Sequence, residues 1–167
     1  MPAITFAVGT VIGFFISRFT LSKSERLDHK QRLYENGLAH KKEKEERYKQ
    51  FTNAIQSYIS KKQKKSKITL DDFQAISTAG DLYFGELKSI AIAIQGENID
   101  KESRPTFVTS IVEALQKNIL VYYNVLQAIS DKIDAPYSGE FKRSNYECLF
   151  EVAEKYAPNE ALPPVKI

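Results

Sequence analysis

Residues 73–94, FQAISTAGDLYFGELKSIAIAI, decide the fold, because their apolar side chains recur at helical spacing. Intervals of three and four residues are typical of an amphipathic α-helix. The stripe consists of Phe73, Ile76, Gly80, Tyr83, Leu87, Ile90 and Ile94. Leu82, Phe84, Ala91 and Ala93 widen the apolar surface. We therefore expect this helix to lie at the centre of the fold.

The ends of this helix carry their own signals. Thr69 is suited to the N-cap, and Asp72 follows it at the spacing of a capping box. Gly96 is suited to ending the helix. Inside the stripe, Gly80 costs about 1 kcal/mol of helix stability relative to alanine. Its presence predicts a close crossing by another helix.

Three further segments show helical periodicity, so the sequence predicts an all-α fold with an antiparallel bundle of about four helices. These helices are expected at residues 46–60, 70–95, 105–133 and 141–156. Pro105 fits a first helical turn, and Ser144 with Glu147 forms a possible capping pair. No segment alternates with a period of two residues long enough to predict a strand. The bundle is thus assigned to residues 46–156, and residues 157–167 to a loose tail containing prolines.

Residues 22–45 are expected to form a charged, solvated helical stalk. Leu27, Tyr34, Tyr48 and Ile55 fall on a seven-residue spacing, but Lys41 occupies the slot between them. The segment His40–Arg47, HKKEKEER, contains no apolar residue, so a sustained coiled coil is not predicted. We expect a kink near Gly37 and the start of packing near residue 46.

The opening of the chain, residues 3–21, AITFAVGTVIGFFISRFTL, has no charged side chain before Arg18. A spanning helix needs roughly 20 apolar residues, and residues 2–17 nearly supply them. A cleaved signal peptide is one alternative, but no basic residue precedes the apolar run. A buried core helix is the other. We interpret residues 1–21 as a transmembrane anchor in a lipid bilayer.

Lysine and arginine residues follow the anchor and none precedes it, which predicts an outside amino terminus and a cytoplasmic domain at the cell membrane. Within the anchor, Thr5, Gly9, Gly13 and Ser17 recur every four residues. Small residues on one helix face permit close pairing of two helices, so this stripe is a candidate dimer contact.

Charge is distributed unevenly along the chain. Residues 1–67 contain 15 Lys/Arg against 6 Asp/Glu, whereas residues 68–167 contain 9 against 15. The basic half suits an anionic lipid surface. The single cysteine, Cys148, excludes an intramolecular disulfide and suits a reducing compartment.

The densest basic run is KKQKKSK, residues 61–67, with Lys61, Lys62, Lys64, Lys65 and Lys67. Three interpretations stay open: a solvated turn, a contact with anionic lipid, or a nucleic-acid contact. A straight helix over residues 22–60 places this loop roughly 58 Å from the bilayer, which disfavours lipid. The absence of arginine and of an aromatic residue within the run disfavours nucleic acid without excluding it.

Candidate catalytic and metal-binding residues are sparse. His29 and His40 share a helix face but lie about 16 Å apart along the axis, too far for one metal ion. Asp71, Asp72, Asp81 and Glu86 are the densest acids, but no Glu-x-x-His pair accompanies them. Cys148 is expected to be a small buried residue, and the two histidines to be solvated. No catalytic residue, cofactor site or metal site is predicted.

These features predict a non-enzymatic, membrane-anchored interaction module that binds a protein partner or a second copy of itself. The alternative is a membrane-tethered component that binds or senses nucleic acid through the basic loop. An enzyme is the third class, and it would require acids converging on a polar cavity between the helices.

Overall fold

The computed structural model describes the backbone of residues 2–164 and the side chains of residues 22–164. Its α-helices are α1 (Pro2–Gln63), α2 (Leu70–Gln95), α3 (Arg104–Glu113), α4 (Ile119–Ile133) and α5 (Glu147–Tyr156). A π-helical turn, Ala114–Asn118, joins α3 to α4, and a 3₁₀ turn, Arg143–Asn145, precedes α5. Within residues 2–164 there is no β-strand. The predicted all-α class and helical bundle are confirmed.

Helix α2 lies at the centre, because it packs against α1, α3, α4 and α5. Residues late in α1 contact residues early in α2: Lys61 bonds Asp72, whereas Asn36 reaches Asn98 just beyond the end of α2. These two helices therefore run antiparallel. Leu87, Ile90 and Ile94 of the predicted stripe are fully buried.

Gly80 of α2 lies directly against the ring of Tyr122 in α4. A Cβ atom on Gly80 would lie 2.6 Å from Cδ2 and 3.0 Å from Cζ of Tyr122. The Tyr122 hydroxyl donates a hydrogen bond to Asp81 at 2.9 Å, which fixes the ring beside the glycine. The predicted close crossing at Gly80 is confirmed.

The predicted ends of α2 are also confirmed. The backbone N–H of Thr69 donates to Asp72 Oδ2 at 2.9 Å, as in a capping box. Gly96 is the C-cap residue, with a backbone φ of −81°. Glu97, rather than the glycine, takes the left-handed conformation, with φ 56°.

Two details of the carboxyl-terminal half differ from prediction. The helix predicted over residues 105–133 is interrupted by the π-helical turn, in which the N–H of Ile119 bonds the carbonyl of Ala114. The last helix begins at Glu147 and not at residue 141. The Glu147 carboxylate accepts a bond from Arg143 at 3.1 Å, so the expected pairing of Ser144 with Glu147 is wrong.

Helix α1 is one continuous helix that runs through Gly37. Its contacts with the bundle reach back to Asn36, whereas we expected packing to begin near residue 46. Further along, Phe51 stacks on Tyr83 with ring centroids 5.6 Å apart.

Within the residues whose side chains are described, no helix is long and apolar enough to cross a membrane. The side chains of the predicted anchor, including the stripe Thr5, Gly9, Gly13 and Ser17, lie outside that range.

Candidate interaction surface

An open groove of about 900 Å³ lies between α1 and the connection from α2 to α3. We call it the α1 groove. It combines apolar side chains with charges of both signs. Its lining from α1 is His29, Lys30, Leu33, Tyr34, Gly37, Leu38 and Lys41, and from the opposite wall Asp100, Lys101, Glu102, Ser103, Thr106 and Phe107.

Gly37 and Asp100 bring the two walls of the α1 groove together. A Cβ atom on Gly37 would lie 2.8 Å from Asp100 Oδ2 and 3.3 Å from Ser103 Oγ, so a larger residue would push the walls apart. Asp100 Oδ1 accepts the backbone N–H of Ser103 at 2.8 Å, which orders the start of α3. Among the described side chains, Asp100 Oδ2 has no hydrogen-bond partner. Gly37 therefore permits a close contact between the two walls.

Burial penalises the charge of Asp100, which is only 9% exposed. Hydrogen bonds from Ser103 outweigh this penalty and hold the pKa of Asp100 below its ordinary value. The carboxylate is therefore ionised at neutral pH. This carboxylate lies against the backbone of Gly37, so we assign Asp100 a structural role in the α1 groove.

Three polar contacts hold the middle of α1 against the bundle. The Nδ1 atom of His40 lies 2.7 Å from Oε1 of Glu86, with side-chain exposures of 26% and 14%. Lys44 donates to Ser110 Oγ at 2.9 Å, and burial lowers the pKa of its ammonium group. Asn36 donates to the carbonyl of Asn98 at 3.4 Å. The expectation that His40 is solvated is wrong, whereas His29 is exposed and lines the α1 groove.

Between residues 27 and 38, α1 carries three large apolar side chains that are mostly exposed. Leu27, Tyr34 and Leu38 are 58%, 59% and 55% exposed. Residues 23–32 are exposed on every side of the helix. Apolar side chains with this degree of exposure are available for contact with a partner.

One ion pair distinguishes Lys61 from the other lysines of the basic loop, residues 61–67. Lys61 Nζ lies 2.6 Å from Asp72 Oδ1, which ties the end of α1 to the start of α2. Burial opposes the charge of Asp72, but its hydrogen bonds with Lys61 and Thr69 outweigh burial and lower its pKa. The remaining lysines of the loop are exposed: Lys62, Lys64, Lys65 and Lys67.

The acids near α2 do not converge on one point. Asp72 contacts Lys61, Asp81 accepts from Tyr122, and Glu86 contacts His40. Asp71 is exposed. Within residues 22–164, no group of three or more His, Cys, Asp or Glu side chains is placed to hold a metal ion.

Cys148 is half-buried in α5, and burial raises the pKa of its thiol. A thiol that stays protonated at neutral pH is a weak nucleophile. Cys148 is thus less buried than expected.

Sequence reasoning missed the α1 groove, because its close contact depends on a glycine and an aspartate that show no apolar periodicity. The one available signal was Gly37, an isolated glycine in an otherwise strongly helical segment.

No known protein family, characterised protein or solved structure matches this chain. What the protein does must therefore be inferred from its own residues.

Proposed function

We propose that this chain is a single-pass, membrane-anchored helical interaction module without catalytic activity. In this proposal, its bundle lies on the cytoplasmic side of the cell membrane and is presented to a protein partner or to a second copy. The observation that carries the proposal is the continuity of α1, a single helix from Pro2 to Gln63 that joins the apolar start of the chain to the bundle.

The anchor rests on the sequence of the first helical turns. Residues 2–17 contain no charged side chain and would extend about 24 Å as a helix. The hydrocarbon core is about 30 Å thick, and snorkelling of Arg18 to the headgroups would cover the difference. The basic residues that follow favour retention of the bundle in the cytoplasm.

The spacing along α1 sets where a partner would meet the module. Contacts with the bundle begin at Asn36, so residues 22–35 form a bridge of about 21 Å between lipid and bundle. Tyr34, Leu38 and the α1 groove lie at the bundle end of this bridge. The interaction surface would therefore face a partner held close to the same membrane.

Partner recovery from intact membranes tests this proposal. The full chain should be crosslinked in membranes, extracted in mild detergent and isolated. We expect a stoichiometric complex, either with another protein or with a second copy. Leu38→Glu should reduce its yield, whereas Ile92→Glu, a matched change at a similarly exposed residue of α2, should not. A monodisperse monomer without any partner would contradict the proposal.

A second candidate function is nucleic-acid binding by the basic loop, favoured by the exposure of Lys62, Lys64, Lys65 and Lys67. The full chain in detergent can be titrated with DNA and RNA at several salt concentrations. Replacing these four lysines by glutamine should abolish binding if this function is correct. A flat titration of the unmodified chain would remove it.

A further inference from the structure

The exposed segment of α1 has the residue pattern of a short two-stranded coiled coil. Leu27 and Tyr34 are separated by seven residues, and Leu38 follows Tyr34 by four. In a heptad frame Leu27 and Tyr34 hold d positions. The a positions are held by Ser24, Gln31 and Leu38. All three apolar side chains are more than half exposed. The chain thus has a seam over residues 24–38 in which three of five core positions are apolar and largely exposed.

The charges beside this seam match a second copy of the same helix. Lys23 and Lys30 hold g positions, while Asp28 and Glu35 hold e positions. In a parallel, in-register pair, a g residue faces the e residue five places later in the other chain. Lys23 would then face the partner's Asp28, and Lys30 the partner's Glu35. An antiparallel pair would instead set lysine against lysine.

These four charged groups are available for such contacts. None of them takes part in the ion pairs found among residues 22–164. All four are exposed, and Glu35 accepts only a hydrogen bond from Gln31 of its own helix. Pairing with a second copy would therefore break no ion pair of the described fold.

The bundle and the seam overlap only at one edge of α1. Polar contacts with the bundle come from Asn36, His40 and Lys44, which hold f, c and g positions in this frame, and Gly37, at a g position, lies against Asp100. Lys41 and Glu45 hold the next d and a positions, so the apolar seam ends where the bundle begins. A second helix along the seam would meet the open side of the α1 groove at Tyr34 and Leu38.

We infer that two copies of this chain associate through a parallel, in-register pairing of α1 over residues 24–38. This inference rests on the proposed function and identifies its partner as a second copy. Helices of about 12–15 residues are marginal alone in water, so the seam needs the high local concentration that a shared membrane provides. In the same frame Gly13 and Ser17 of the predicted anchor hold d and a positions, whereas Gly9 and Thr5 hold g and c positions.

Charge exchange in the full chain tests this inference. One variant carries Lys23→Glu and Lys30→Glu, and the other carries Asp28→Lys and Glu35→Lys. Each alone places like charges across the seam, and we expect its dimer yield to fall roughly fivefold or more. Co-expressed with different tags, the two variants should form a heterodimer at the unmodified yield. Arg26→Glu with Arg32→Glu is the control, because it changes the charge equally at positions outside the seam.

Dimers can be measured in membranes by disulfide formation at Leu27→Cys in a Cys148→Ala chain, with Glu25→Cys as the outward-facing control. Crosslinking at position 27 and not at position 25, together with restoration by the mixed charge variants, supports the inference. Equal yields from all charge variants, or no restoration on mixing, would overturn it. Recovery of a complex with a different protein and no homodimer would overturn this inference and leave the proposed function standing.

Discussion

Replacing Gly80 by alanine perturbs the contact between α2 and the Tyr122 ring of α4. In a helix interior, this exchange alone stabilises by about 1 kcal/mol, because glycine loses more backbone freedom on folding. Here the new methyl group would meet the ring of Tyr122, with Cδ2 only 2.6 Å away. The ring is 4% exposed and its hydroxyl is bonded to Asp81, so it cannot move without losing that bond.

Overpacking of a buried contact costs typically 1–3 kcal/mol, and loss of a hydrogen bond to a carboxylate costs about 1.5–3 kcal/mol. After subtraction of the gain of about 1 kcal/mol in helix propensity, Gly80→Ala should destabilise the protein by about 1.5–5 kcal/mol. Gly85→Ala is the matched control in the same helix, because a Cβ atom there meets nothing within 4 Å. It should stabilise the protein by about 1 kcal/mol.

Thermal unfolding of the full chain in detergent, followed by far-ultraviolet circular dichroism, measures both variants. A change of 1 kcal/mol corresponds to about 2–4 °C in Tm for a chain of this size. Gly85→Ala should therefore raise Tm by a few degrees, whereas Gly80→Ala should lower it by several. Equal shifts for the two variants would refute the close crossing of α2 and α4.

Three further predictions concern the charged contacts. Lys61→Gln should cost about 1 kcal/mol in urea unfolding, because it removes the partner of Asp72, whereas Lys64→Gln should change stability by less than about 0.5 kcal/mol. The lowered folded-state pKa of Asp72 means that its ionised form stabilises the fold above the unfolded pKa, near 4, and that this contribution is lost as the pH falls through the folded value. The urea concentration at the unfolding midpoint should therefore fall when the pH is lowered below about 4, and it should fall less in Asp72→Asn. Parallel pH dependences of the midpoint in the unmodified chain and in Asp72→Asn would contradict this. His40→Ala should increase hydrogen exchange in the middle of α1, whereas His29→Ala should leave it unchanged, and equal exchange in both would contradict docking through His40.

The centre of the bundle could be predicted from the sequence because apolar periodicity and end signals agree there. In α2 the stripe, the Thr69–Asp72 cap and Gly96 all indicate the same helix, and Gly80 marked the crossing with α4. Each of these features is local in sequence, so it can be read without knowing which segments meet.

The docking of α1 could not be predicted in the same way. Residues 36–44 pack through an asparagine, a glycine, a histidine and a lysine, none of which contributes to an apolar stripe. Their partners, such as Glu86 and Asp100, lie far away in sequence. The π-helical turn at Ala114–Asn118 is equally invisible, because the buried residues on both sides keep nearly the same spacing as in an α-helix.

Attachment to the membrane through the first helix is the central claim, and alkaline carbonate extraction of membranes containing the full chain tests it most directly. We predict that the chain stays with the lipid pellet, and that a variant with Ile12→Lys and Phe15→Lys moves to the supernatant, because charges within the apolar run oppose insertion. Release of the unmodified chain by carbonate would contradict the claim.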